Sequence, residues 1–315
     1  MKTVRTLFAL LLSGACAVVH AETPMEAALA AYYRGDPAEA LNHLHPLADN
    51  GNAEAEHTIG MVLEFGMQQP AQAAGWYAKA AARAYAPAQN TLGALYHDGR
   101  GVEQNFVEAM RWYRAAAESN YAPAQYNLAL MHGQGKGAAR SSDEMIVWLK
   151  RAADGNYDRA QAQLGRLYLE GLGIERNFAE AARWFRLAAD QGHPWAQYYL
   201  GFLLQKGEGL QRDLAAAAAM FQKAAEQGNL LAMHNLAVIY EMGLGSAADY
   251  PKALGYYKSA ADGGHVESRE RLARLYRDGG LGVAPDAIQA LAWESKAPAP
   301  SPPSSPAIEP VPQAK

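Results

Sequence analysis

The sequence predicts an all-α protein, a solenoid of stacked antiparallel helix pairs, and three observations carry that expectation. A register of 36 residues holds Trp112, Trp148 and Trp184 in one slot, followed there by Met220 and Tyr256. The same register aligns Leu92, Leu128, Leu164, Leu200, Leu236 and Leu272, each followed by Gly or Ala. A glycine pair ends the same stretch in five consecutive units, from Gly99/Gly101 to Gly243/Gly245. Length alone suggests about two ordinary domains, but tandem units of this period bury their apolar faces only against one another.

Ahead of the repeats, Lys2 and Arg5 precede the apolar run Leu7–Leu12, and Val19-His20-Ala21 follows. That order predicts a signal peptide over residues 1–21, cleaved after Ala21, and a periplasmic or secreted product. The run is shorter than the roughly 20 residues a membrane helix needs. The one cysteine, Cys16, lies inside it, which leaves the mature chain no thiol, disulfide or cysteine-held zinc. Leu12-Ser13-Gly14-Ala15 before Cys16 has the flavour of a lipid-attachment signal, but its Leu sits one residue too far upstream, which argues against an anchor. Loss of Lys2 and Arg5 takes the net charge from −4 to −6, which disfavours nucleic acid as a partner.

Residues 22–52 read as a capping helix pair turned at Gly35-Asp36-Pro37, and residues 53–296 as about seven repeats. Ile59-Gly60 and Trp76-Tyr77 mark the first repeat, whose turn is about three residues short. In each first helix the Leu is followed four residues on by Tyr96, His132, Tyr168, Leu204, Tyr240 or Tyr276, one helical face. Glycine then supplies the left-handed backbone of a helix end. Asn105, Ser141, Asn177, Asp213, Asp249 and Asp286 stand where the second helix opens and predict its N-caps. Glu108, Glu144 and Glu180 stand at the reciprocal position and predict capping boxes. Alanine pairs such as Ala116-Ala117 and Ala188-Ala189 allow close helix approach, with the Trp slot expected to fill the gap. Beyond Trp293, seven of the nineteen residues in Ala297–Lys315 are Pro, which predicts a disordered Pro-rich tail.

Runs such as Ala160-Gln161-Ala162-Gln163-Leu164-Gly165-Arg166-Leu167-Tyr168, Gly171-Leu172-Gly173 and Ala181-Ala182-Arg183-Trp184-Phe185 closely resemble the Sel1-like repeat, a relative of tetratricopeptide repeats. The resemblance spans residues 53–296. It implies a right-handed superhelical solenoid, used as a scaffold for protein–protein contacts in exported bacterial envelope proteins and in eukaryotic secretory-pathway adaptors. No Asn-x-Ser/Thr acceptor occurs, which favours the bacterial setting. Ala129, Ala237 and Ala273 at the Gly slot, Met145 at an Ala slot, His132 and Leu204 at the Tyr slot and Met220 at the Trp slot depart from the pattern and affect local packing.

Each first helix carries a second stripe beside its packing residues, and in tetratricopeptide relatives that stripe lines a concave groove. Its expected partner-binding residues are Asn90 and His97, Tyr126 and Leu130, Arg166 and Leu169, Tyr198, Phe202 and Gln205, His234 and Glu241, and Arg274 and Arg277. Their types vary between units while the packing slots do not. Aromatic anchors would centre the contact, and the two arginines suit a carboxylate at one end. The competing reading is that Leu130, Val238 and the aromatics simply pack between helices.

Signals for catalysis are weak. Gly133-Gln134-Gly135-Lys136-Gly137 sits in the common turn slot and lacks the strand and Lys-Ser/Thr context of a phosphate loop. His43 and His45 fall on different helix faces, and the other histidines are scattered over separate units. The expectation is a non-enzymatic scaffold for a protein or peptide, with no cofactor, metal or nucleic acid. The alternative is a binder or hydrolase of peptidoglycan-derived or β-lactam-like molecules, a reading weakened by the missing cysteine pairs and Ser-x-x-Lys motif.

Overall fold

The computed structural model describes residues 23–245 and 247–296. The expected leader, Cys16 and the Pro-rich tail lie outside the described residues. Within them are sixteen α-helices, one π-helical segment and no strand, divided into two compact units that meet in sequence at Ala80 and Ala81.

The first unit holds α1 (Pro24–Arg34), α2 (Pro37–Asp49), α3 (Ala53–Met61), the π-helical segment Val62–Gly66 and most of α4 (Pro70–Ala82). A complete capping box opens α1: the Thr23 hydroxyl accepts from the Glu26 N–H at 3.2 Å, and the Glu26 carboxylate accepts from the Thr23 N–H at 2.9 Å. The short turn foreseen after Gly60 takes an unforeseen form. With three residues fewer there is no glycine loop, and the helix widens instead, the Met67 N–H reaching back five residues to the Val62 carbonyl at 3.1 Å.

The second unit is a succession of helix pairs. These are α5 (Ala86–Asp98) with α6 (Phe106–Glu118), α7 (Ala122–Gln134) with α8 (Ser142–Asp154), and α9 (Asp158–Glu170) with α10 (Phe178–Asp190). Then come α11 (Pro194–Lys206) with α12 (Leu214–Glu226), α13 (Leu230–Met242) with α14 (Tyr250–Asp262), and α15 (Val266–Asp278) with α16 (Ala287–Ser295). Each helix touches the next, both within a pair and from one pair to the following. This is an all-α solenoid of stacked helix pairs, as the period predicts.

Helix boundaries follow the residues that encode them. All six foreseen caps accept a first-turn N–H, from Asn105 at α6 to Asp286 at α16. The glycine loops need glycine at both positions: Gly135 has φ 70° and Gly137 φ 80°, and a Cβ on Gly137 would lie 2.4 Å from the Phe106 carbonyl oxygen. The three foreseen capping boxes form only by half. Asn105, Ser141 and Asn177 accept from the Glu108, Glu144 and Glu180 N–H groups, but the Glu108 and Glu180 carboxylates turn outward to Arg111 at 3.3 Å and Arg183 at 3.2 Å. An arginine one turn on outcompetes a single backbone donor for a solvated carboxylate.

The gap between paired helices is filled one residue later than foreseen. A Cβ on Gly93, Gly165 or Gly201 would stand within 3.0 Å of the ring of Tyr113, Phe185 or Phe221, each immediately after the Trp slot. Phe185 and Phe221 are fully buried. Trp184 in the slot itself is also buried, in the cluster of the neighbouring pair, with the Arg183 guanidinium 4.5 Å from its ring. Bulky-then-tiny pairs on the first helix are thus sockets for the aromatic that follows the Trp.

A candidate interaction face on the first helices

The stripe is densest on α11. Pro194 and the His193 cap fix the helix start, and Trp195, Tyr198, Tyr199 and Phe202 then follow at i, i+3, i+4 and i+7, which places them on one face. All four are partly buried. Trp195 meets Tyr198 edge-on at 6.2 Å, and Tyr198 meets Tyr199 at 5.2 Å. Behind them Tyr199 stacks on Phe185 at 5.0 Å and Tyr198 packs on Phe221 at 5.8 Å, so the row is bolted to the core while its outer edge faces solvent. Burial raises the pKa of both tyrosines, which keeps the hydroxyls neutral. The Lys206 ammonium lies 5.8 Å from the Phe202 ring, and Leu169 joins the same cluster from α9.

Other stripe residues keep partial exposure but are drawn into contacts with the following pair. The Asn90 amide oxygen accepts from Asn127 at 2.9 Å. His97 bonds Asp98 at 2.8 Å, faces the Lys136 ammonium at 3.3 Å and meets the Phe106 ring edge at 5.3 Å. His234 lies 2.9 Å from the Ser268 hydroxyl and 4.7 Å from the His265 ring. Glu241 accepts from the Tyr257 hydroxyl at 2.6 Å and pairs with Arg271. Burial works to raise its pKa, but those hydrogen bonds outweigh it and hold Glu241 below the usual carboxylate range. Leu130, Arg166 and Gln205 remain partly exposed, and Arg274 and Arg277 are exposed.

Tyr126 is the exception. It is 6% exposed, its ring is set edge-on to Tyr157 at 5.4 Å, and burial followed by Tyr157 pushes its hydroxyl up to about 12. It is a core residue rather than lining, because Tyr157 at the turn before α9 folds over it.

At the last pair, α15 and α16 enclose a cleft of about 480 Å³ lined by Glu270, Ala273, Arg274 and Arg277 from one helix and Trp293 and Glu294 from the other, with Arg269 at its rim. Among the described residues no group of three or more His, Cys, Asp or Glu is placed to hold a metal, and no helix is long and apolar enough to cross a membrane.

With the helix pairs, glycine sockets and second stripe in place, comparison with known families is decisive: the Sel1 repeat model matches residues 53–85, 86–121, 122–157, 158–193, 196–229, 230–265 and 266–297. The chain belongs to the Sel1 repeat family. Sel1 repeats generally serve as protein–protein interaction scaffolds. The crystal structure of c5321, a protective antigen present in uropathogenic Escherichia coli strains and displaying an SLR fold, is similar to this chain with 33% identity and a TM-score of 0.77. That match covers 86% of this chain, which spans 59% of the antigen's length. A Sel1 repeat protein from Oxalobacter formigenes is 31% identical with a TM-score of 0.67, covering 78% of this chain and 99% of that one. A search of curated proteins returned no match.

Reading Sel1 repeats by their slots missed two groups. Trp195 and Tyr199 extend the α11 row, and the i, i+3, i+4, i+7 run of aromatics was the signal that could have found them. In the first unit, the Tyr77 hydroxyl donates to the buried Glu64 at 2.9 Å and the His57 ring lies 5.3 Å from Tyr77, burial pushing His57 down to about 4. Tyr77 falls in the periodic slot 36 residues before Tyr113, but nothing periodic marks Glu64, which sits on the π-helical segment, or His57.

Proposed function

We propose that this protein is an exported, non-enzymatic scaffold that binds a protein or peptide partner along its first-helix face, with Trp195, Tyr198, Tyr199 and Phe202 as the energetic centre. Leu130, Arg166, Leu169 and Gln205 flank that centre, Asn90, His97, His234 and Glu241 extend it, and Arg274 and Arg277 stand at its end. The observation that carries this reading is the aromatic row itself: four large side chains on one helix face, anchored behind and open in front. Completing the burial of such a row yields about 25 cal/mol for each Å² of apolar surface covered, and rigid aromatics lose little side-chain entropy when they dock.

The setting we propose is the bacterial envelope, in assembly, signalling or host contact. The charged, apolar and small-residue order of residues 1–21 supports export, and a similar solved protein is a bacterial protective antigen. A photo-crosslinking residue placed at Gln205 in intact cells tests both parts. A discrete envelope-protein adduct identified by mass spectrometry, on a chain beginning at Glu22, is expected. Absence of any adduct at this and neighbouring stripe positions would overturn the binding claim, and retention of residues 1–21 would overturn export.

A further inference from the structure

At three of the five junctions between first helices in the second unit, the stripe of one repeat receives a polar side chain from the first helix of the next. Asn127 of α7 reaches Asn90 of α5, Asn235 of α13 hydrogen-bonds Tyr198 of α11, and Arg271 of α15 pairs with Glu241 of α13. The incoming group complements what it meets: amide to amide, donor to hydroxyl, guanidinium to carboxylate. On α15 a cleft of about 480 Å³ opens against the same stripe.

Three arginines outnumber two glutamates around the cleft, beside the Trp293 indole, whose ring lies 4.8 Å from the Lys296 ammonium. Glu270, Ala273, Arg274 and Arg277 follow at i, i+3, i+4 and i+7 on one face of α15, and Trp293 stands across the cleft on α16. Arg277 is paired with Glu294, and Arg269 donates to the Lys296 carbonyl at 2.6 Å. Arg274 is exposed and has no carboxylate partner among the described residues, only a 3.4 Å contact to the Glu270 carbonyl on its own helix.

We propose that this cleft binds a carboxylate-bearing segment of a partner protein, with Arg274 as the principal ligand and the Trp293 ring as the apolar wall. The occupant supplies to Arg274 what Glu241 supplies to Arg271. A planar guanidinium beside an indole face suits an acidic side chain next to an apolar one, since one group takes the forked hydrogen bonds and the other the ring. The inference rests on the reading of the stripe as a partner face, and adds the chemistry of its last station.

The test uses the full mature chain and two acetylated, amidated peptides, Ala-Glu-Leu-Glu-Ala and its Gln counterpart, followed by the Trp293 indole N–H signal in NMR. Saturable shifts with the Glu peptide, at least fivefold weaker binding of the Gln peptide, and at least fivefold weaker Glu-peptide binding by Arg274→Ala are expected. Arg274 is exposed, so that variant should keep its circular dichroism and melting curve. Equal affinity for both peptides, or unaltered binding by Arg274→Ala, overturns the proposal. So does a several-fold gain in affinity on deleting residues 297–315, which would make the chain's own tail the occupant, or concentration-dependent dimerisation lost with Arg274→Ala, which would make it a second copy. Tyr198→Ala with Phe202→Ala should leave the peptide titration unchanged, so failure of the partner face and failure of the cleft are separately visible.

Discussion

The Gln191 side chain donates to the Gln161 amide oxygen at 2.8 Å, while Gln161 itself donates to the Ala153 carbonyl at 3.1 Å. One buried amide thereby ties the end of α8, the body of α9 and the end of α10. The device recurs at the period of the repeat, with Gln89 to Ala81, Gln125 to Ala117 and Gln197 to Ala189, and Gln227 repeating the second link onto Gln197 at 2.8 Å. Each glutamine gives a second hydrogen bond to a helix-end carbonyl that already accepts a backbone N–H from the following turn, as Ala153 does from Asn156 at 3.1 Å.

Gln161→Leu should therefore lower stability by about 0.5–1.5 kcal/mol, since it removes one of the two hydrogen bonds at the Ala153 carbonyl and one acceptor of the Gln191 amide, which keeps the Asn156 side chain at 3.1 Å. Urea unfolding followed by circular dichroism measures it. A change below about 0.5 kcal/mol would mean that water replaces the latch.

Gly165→Ala places a Cβ 2.8 Å from the Phe185 ring and should cost about 1–3 kcal/mol, with Phe185→Leu recovering part of the loss. Gly255→Ala on α14 meets nothing within 4 Å and should instead stabilise by about 0.5–1 kcal/mol. Thermal melts of the two variants should move in opposite directions.

Asn177→Ala removes an oxygen that accepts the Glu180 N–H at 3.0 Å and should cost about 1 kcal/mol, whereas Glu180→Gln should change stability by less than about 0.5 kcal/mol because its box is open. Equal losses in both would show the capping box to be closed in solution.

Acid should weaken the protein through its half-buried histidines. His57 is pushed by burial from 6.5 down to about 4, and burial also lowers His234 and His265. A histidine with a depressed folded pKa binds its proton more readily when unfolded, so its stabilisation is complete above pH 6.5 and is lost as pH falls towards the folded value. NMR titration should place the His57 midpoint near 4 and the other two below 6.5, with unfolding free energy declining across that window. A His57 midpoint at or above 6.5 would contradict its burial.

Much of the architecture was legible because single residues encode it locally. An Asn or Asp before a helix and a glycine after it do their work within one turn, so Asn105 and Gly135 announce their roles without knowledge of the neighbouring repeat. What escaped depends on the angle at which helices meet. Periodicity marks Trp184 and Phe185 equally and cannot tell which enters the Gly165 socket. The stripe was legible as a face, but not that Asn127 and Arg271 would also engage Asn90 and Glu241 between repeats, nor that Tyr157 would cover Tyr126. The π-helical segment at Val62 had no signal beyond a shortened turn.

The central claim is that the α11 aromatic row holds a partner, and the most direct measurement is the affinity of the Tyr198→Ala, Phe202→Ala double variant for the protein crosslinked from cells. The row predicts a loss of at least tenfold relative to the wild-type chain, with the melting temperature of the variant still well above the assay temperature. Unchanged affinity in a folded double variant would contradict it.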